Sequence, residues 1–167
     1  MITKKSLKVD VKDIPALHVA CVRHVGPYKG DAALSERLFA QLFAWANPRG
    51  LLDSPDLKVL AVYQDDPDVT AENKLRTSVC ITVPAGTKGE GDVKTMTISG
   101  GMYAIAHFEL DPAEYEAAWQ ALYGSWLPGS GYQHDGDRPA FEQYLNEPRE
   151  HPEHVHIVDI YLPVKKR

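Results

Sequence analysis

Pro139-Ala140-Phe141-Glu142-Gln143-Tyr144-Leu145-Asn146 reads as a strand that ends in a turn. Side chains alternate between the two faces of a strand. Ala140, Glu142 and Tyr144 therefore point one way, and Phe141, Gln143 and Leu145 the other. Glu142 lies between a small apolar residue and an aromatic one on a single face. A carboxylate in that setting is either solvated on an open sheet or held in a partly dry pocket where its charge has a use. Most glutamates are solvated.

Working outward, this stretch has a counterpart 81 residues earlier in Val62-Tyr63-Gln64-Asp65-Asp66-Pro67-Asp68, where Tyr63 matches Tyr144, Asp65 matches Asn146 and Pro67 matches Pro148. The same offset pairs Leu34, Leu38, Leu42 and Trp45 with Tyr115, Trp119, Tyr123 and Trp126, Glu72 with Glu153, and Val79 with Ile160. The first hairpins need a shift a few residues longer, Ala20 against Ala104. One pair could match by coincidence, but an ordered set points to duplication of a structural unit.

Each copy reads β-β-α-β-β. In the first, strands cover 5–11 and 17–25, and Asp31 caps a helix to about Ala46 whose Leu34, Leu38, Leu42 and Trp45 share a face. Strands at 57–63 and 76–83 flank the turn Asp65-Asp66-Pro67-Asp68. In the second, strands at 93–98 and 102–110 precede Asp111-Pro112-Ala113-Glu114, a capping Asp with proline at the first helical position and Glu three residues on. That helix ends before Pro128, residues 129–138 form a loop, and 139–146 and 155–164 are the last strands.

The expectation is a single α+β domain over 1–167: two repeats, 1–84 and 93–167, joined by a Gly- and Lys-rich linker at 85–92. Its antiparallel sheet and two helices are arranged about a pseudo-twofold axis, with a central groove at the seam, where ligand sites tend to lie. Glu142 corresponds to Ala61, so the groove is nearly symmetric in aromatic residues and asymmetric in charge. A single carboxylate among aromatic rings suits a cationic or hydrogen-bond-donating apolar ligand. The candidate ligand-binding residues are Glu142, Tyr144, Trp126, Trp45, Tyr63 and Tyr103, with Trp119 read as either core or groove.

Composition narrows the function classes. The chain has 167 residues, 25% of them charged, and a formal net charge of −5, which argues against direct nucleic-acid binding. No run approaches the ~20 apolar residues of a membrane span, and no signal-peptide core follows the N-terminal lysines. The sequence therefore reads as a cytoplasmic protein with no membrane partner. Cys21 and Cys80 read as buried small hydrophobes rather than a disulfide framework or a zinc site. His151, His154 and His156 resemble a metal cluster but lack a completing Cys or acid at ligand spacing. The acidic turn resembles a calcium loop only superficially, because Pro67 interrupts it and the bidentate Glu is missing. Neither a metal nor a cofactor is expected.

Four motifs resemble a known family. They are Arg23-His24-Val25-Gly26-Pro27-Tyr28; the Val62 to Asp68 stretch followed by Lys74-Leu75-Arg76; Ile98-Ser99-Gly100-Gly101-Met102-Tyr103-Ala104; and Phe141 to Asn146 with Asp159-Ile160-Tyr161-Leu162-Pro163-Val164. In order and nearly end to end, they resemble the GyrI-like small-molecule-binding domain. That family includes the stand-alone gyrase-inhibitory protein and the effector-binding domains of multidrug-responsive and AraC-type regulators. The resemblance implies a duplicated, SHS2-like fold with a central groove. It implies that Glu142 matches the groove acid that meets cationic lipophilic compounds, with Tyr144 on the same face. No helix-turn-helix is expected before the domain, and the second copy reads Phe108-Glu109-Leu110-Asp111-Pro112 where the first has Gly-Pro-Tyr.

Three roles follow from the resemblance. The first is a stand-alone binder that senses, sequesters or regulates through an amphipathic small molecule. The second is a modulator of a protein partner such as DNA gyrase. The third is a hydrolase of strained electrophiles of the cyclopropane-bearing kind, with Glu142 as general acid or base. No nucleophile–base pair, phosphate loop or second catalytic group is visible, so no catalytic residue is assigned and the binding role is preferred.

Overall fold

The computed structural model describes residues 8–28, 32–65, 69–146, 152–153 and 155–167. The expected cap Asp31, the turn residues 66–68, and His151 and His154 lie outside the described residues. The chain divides into two compact units: Ala16–Ser99, and the chain up to Pro15 together with Gly100–Arg167.

The first unit holds β2 (Leu17–Val25), α1 (Ala32–Ala46), β3 (Val59–Tyr63), β4 (Arg76–Thr82) and β5 (Val93–Ile98), all strand pairs being antiparallel in the order β3-β4-β2-β5. Leu34, Leu38, Leu42 and Ala46 form the buried stripe of α1 and pack on Ala20, Val22, Val79, Ile81 and Val93. The inward place expected for Trp45 belongs to Ala46, because the 3.6-residue repeat carries the stripe four positions on from Leu42. Trp45 is half-buried at its side. A 3-10 turn, Asn47–Arg49, follows, and Gly50 closes it at φ 68°, in the left-handed region that glycine enters without steric cost.

β2 and β4 set Cys21 directly opposite Cys80, and the structure joins the two as a disulfide. This corrects the expectation of two lone thiols. Strand register, which sequence spacing does not reveal, makes them neighbours.

The second unit holds β1 (Lys8–Ile14), β6 (Gly101–Leu110), α2 (Tyr115–Gln120), β7 (Tyr132–His134), β8 (Ala140–Tyr144) and β9 (His156–Lys166). Its strands run in the order β1-β6-β9-β8, and β7 pairs with the far end of β9. β7 lies inside the stretch expected to be loop. The expected capping box is present: Ala113 N–H donates to Asp111 Oδ1 at 3.0 Å, and Asp111 N–H donates to Glu114 Oε1 at 2.9 Å. The helix is less regular than its counterpart. A 3-10 turn (Pro112–Glu114) leads into α2, which runs on into a π segment (Ala121–Trp126) and a second 3-10 turn (Leu127–Gly129). Gly124 and Pro128, both poor helix residues, fall in this region. Ala118 and Leu122 still bury fully, against Ala104, Ala106, Leu110, Val158, Ile160 and their neighbours.

The registers recur between units. Ala61 faces Val79 as Glu142 faces Ile160, and Ala20 faces Ile81 as Ala104 faces Leu162. The first strands are exchanged: β5 pairs with β2, placing Ile98 opposite Leu17, and β1 pairs with β6, placing Ile14 opposite Gly101. The compact units are therefore not the halves 1–84 and 93–167. Residues 85–92 join β4 to β5 within the first unit, where Glu90 bridges to Val93. Only Pro15 and Ala16 separate β1 from β2, and proline cannot adopt the positive φ that a tight hairpin turn demands. The chain crosses instead of folding back.

Candidate functional site

β8 places Ala140, Glu142 and Tyr144 on one face of its sheet. Ile160 opposite Glu142 and Val158 opposite Tyr144 both belong to the core that α2 covers, so this is the helix-covered face. Glu142 is 2% exposed. A carboxylate taken out of water is costly unless its oxygens are bonded. Here the Trp119 indole Nε1–H donates to Oε2 at 2.6 Å and the Tyr144 hydroxyl donates to Oε1 at 2.8 Å. Both donors are neutral, and bonds from such donors to an ionised acceptor are stronger than neutral ones.

Tyr115, one turn before Trp119, adds a further polar pair. Its Oη lies 2.6 Å from His156 Nδ1, and the histidine tautomer decides which group donates. Burial, and secondarily the Glu142 charge, pushes the Tyr115 hydroxyl pKa far above the usual tyrosine range, which keeps it a neutral phenol. Aromatic rings continue outward from the carboxylate. Trp119 stacks on Tyr123 with centroids 6.0 Å apart, and Tyr123, 37% exposed, meets His134 edge-on at 5.7 Å.

The structure thus brings together three of the expected residues, Glu142, Tyr144 and Trp119. Trp119 both packs on the apolar core and bonds the carboxylate. Trp126 packs on the same core and stacks on Tyr132 at 6.3 Å. Tyr103 is on the other side of the sheet, fully buried against Phe141 and Tyr161, with the Arg138 guanidinium 4.7 Å above its ring. Burial pushes its hydroxyl pKa up. Trp45 and Tyr63 belong to the first unit: Arg49 lies 4.8 Å over the Trp45 ring, and Tyr63 tilts against Tyr28 at 5.5 Å.

Sequence reasoning passed over Tyr115, Tyr123 and His156 as site residues. The i, i+4, i+8 spacing of Tyr115, Trp119 and Tyr123 was the available signal. In the sequence His156 stands out only as a candidate metal ligand beside His151 and His154. Among the described residues no three His, Cys, Asp or Glu side chains are grouped to hold a metal ion. No helix among them is long and apolar enough to cross a membrane.

At the matching positions of the first unit stand Ala61, Leu38 and Leu34, where the second has Glu142, Trp119 and Tyr115. The buried carboxylate is a property of one copy only.

The chain is similar to proteins known by name. It is 34% identical over 147 residues to DNA gyrase inhibitor 2 of Dickeya dadantii, covering 84% of this chain and 85% of that one. It is 29% identical to the DNA gyrase inhibitor of Edwardsiella piscicida, covering 96% of this chain and 99% of that one. Among solved structures it superposes on the EcmrR C-terminal domain with a TM-score of 0.72 at 16% identity, covering 97% and 99% of the two chains. It also superposes on SAV2435 bound to tetraphenylphosphonium with a TM-score of 0.62 at 12% identity, covering 95% and 94%. With residues 7–165 matching it, the chain belongs to the family of the GyrI-like small-molecule-binding domain.

Proposed function

We propose that this domain captures an amphipathic, cationic small molecule at Glu142, as a sensor or sequestering protein. The observation that carries the reading is a carboxylate 2% exposed, bonded by an indole and a phenol and lined by their rings. Carboxylate plus ring faces is the chemistry that recognises a lipophilic cation. That SAV2435, of the same fold, is bound to tetraphenylphosphonium supports it. A ligand touches so buried a carboxylate only if a side chain gives way. Trp119 is the one whose indole bond a cation would replace, and its ring could then stack on the ligand.

Calorimetric titration with tetraphenylphosphonium tests this. The wild type saturates, and Glu142→Gln, which keeps the shape and removes the charge, weakens binding about 10- to 100-fold. Equal affinities would refute the assignment. The names of the relatives favour a second reading, a protein partner, and DNA supercoiling by gyrase with added protein checks it. Full supercoiling at excess protein removes that reading. The Tyr115–His156 pair beside the carboxylate justifies one more assay. Turnover of a cyclopropane-bearing electrophile that disappears in Glu142→Gln would make the same glutamate a general acid or base.

A further inference from the structure

Strand register lays one row of side chains across three strands in each unit. In the second unit the row is Phe108, Val158 and Tyr144: Phe108 faces Val158, and Val158 faces Tyr144. Phe108 and Val158 are 6% and 0% exposed and form part of the apolar core. In the first unit the matching row is His24, Thr77 and Tyr63: His24 faces Thr77, and Thr77 faces Tyr63. An imidazole and a hydroxyl thus stand where the other copy has a phenyl ring and an isopropyl group.

The middle residue is the anomaly. Thr77 is 7% exposed and its Oγ1 has no hydrogen-bond partner among the described residues. A buried hydroxyl without a partner is destabilising, and valine, the residue of the other copy, would fill the same shape without that cost. The groups around it are suited to a ligand. Tyr63 and Tyr28 set two rings side by side. His24 Nε2 lies 3.1 Å from the Pro27 carbonyl oxygen. A carbonyl only accepts, so Nε2 is the donor in this bond. Asp65, two residues beyond Tyr63, is neutralised by a two-pronged bond from Arg76.

We propose that Thr77, with His24, Tyr63 and Tyr28, forms a second small-molecule site, in the first unit, for a neutral phenol-like compound. The polar group of the ligand bonds the Thr77 hydroxyl, and its ring lies against the tyrosines. This site does not depend on the reading of Glu142. It differs from that one in ligand charge, because Asp65, the carboxylate two residues beyond Tyr63, is already paired with Arg76.

Titration of the full chain with phenol, followed by NMR shifts, tests the proposal, with toluene as the control that lacks the hydroxyl. The wild type gives saturable shifts with phenol and weaker ones with toluene. Thr77→Val weakens phenol about tenfold. Thr77→Ser, which retains the hydroxyl, keeps binding. Glu142→Gln leaves phenol affinity unchanged. Four results would overturn it: no saturable response in the wild type, undiminished binding by Thr77→Val, phenol binding lost in Glu142→Gln, or a lone water on Thr77 Oγ1 in a phenol-soaked crystal.

Discussion

Glu142 stays buried because two neighbours donate to it, so each neighbour's worth depends on the carboxylate being there. Tyr144→Phe removes one donor from a group that cannot find water, and costs about 1–3 kcal/mol of stability. In a Glu142→Ala background the same change is close to neutral. Urea denaturation of the four proteins measures the coupling, and strict additivity would show that the two side chains act independently. That Glu142 and Tyr144 share a face was legible from the two-residue period of a strand. The bond to Trp119 was not, because helical periodicity gives a stripe but not how that stripe is rotated over a sheet. That Tyr103 shares the Phe141 face and not that of Glu142 is illegible for a related reason: which face a residue of β6 shares with β8 depends on registers through β9, and no local pattern encodes them.

At the scale of elements, the two helices show what composition settles and what it leaves open. The capping box at Asp111 and Glu114 was readable, since proline and an acid at fixed spacing have one structural use. The π segment after Gln120 was not, because it needs a small shift in bonding partner that any of these residues tolerates. The end of β3 carries a prediction about pH. Bonding from the Arg76 side chain holds the Asp65 carboxyl pKa below its ordinary value of 3.8. A carboxylate with a depressed folded-state pKa contributes stability above its unfolded value, and loses it as pH falls through the folded one. Asp65→Asn should therefore destabilise the protein near neutral pH, and the difference should shrink as pH drops below 3.8. Arg76 is half exposed, so the effect is about 1 kcal/mol. Thermal melts from pH 7 downward check it, and a gap that stays constant into acid would assign the loss to something other than the ion pair.

For the whole molecule, duplication was legible because aligned pairs at one offset accumulate along the chain, whereas the exchange of first strands was not. Both pairings, β1 with its own half or with the other, satisfy the same alternation of side chains, and only the proline-containing link at Pro15 hinted at the outcome. The exchange predicts that fragments 1–88 and 89–167 are each unfolded alone by circular dichroism, since each lacks an edge strand of its sheet, and that mixing them restores the β signal. Two independently folded fragments would contradict the strand assignment.

In the proposed mode of capture a lipophilic cation takes the place of the indole bond at Glu142. The chain has three tryptophans, Trp45, Trp119 and Trp126, so their indole N–H resonances are separable by NMR and assignable by substitution. Titration with tetraphenylphosphonium should shift the Trp119 indole signal in step with saturation, and Glu142→Gln should abolish that shift. Saturable binding that leaves the Trp119 signal where it began would contradict the account.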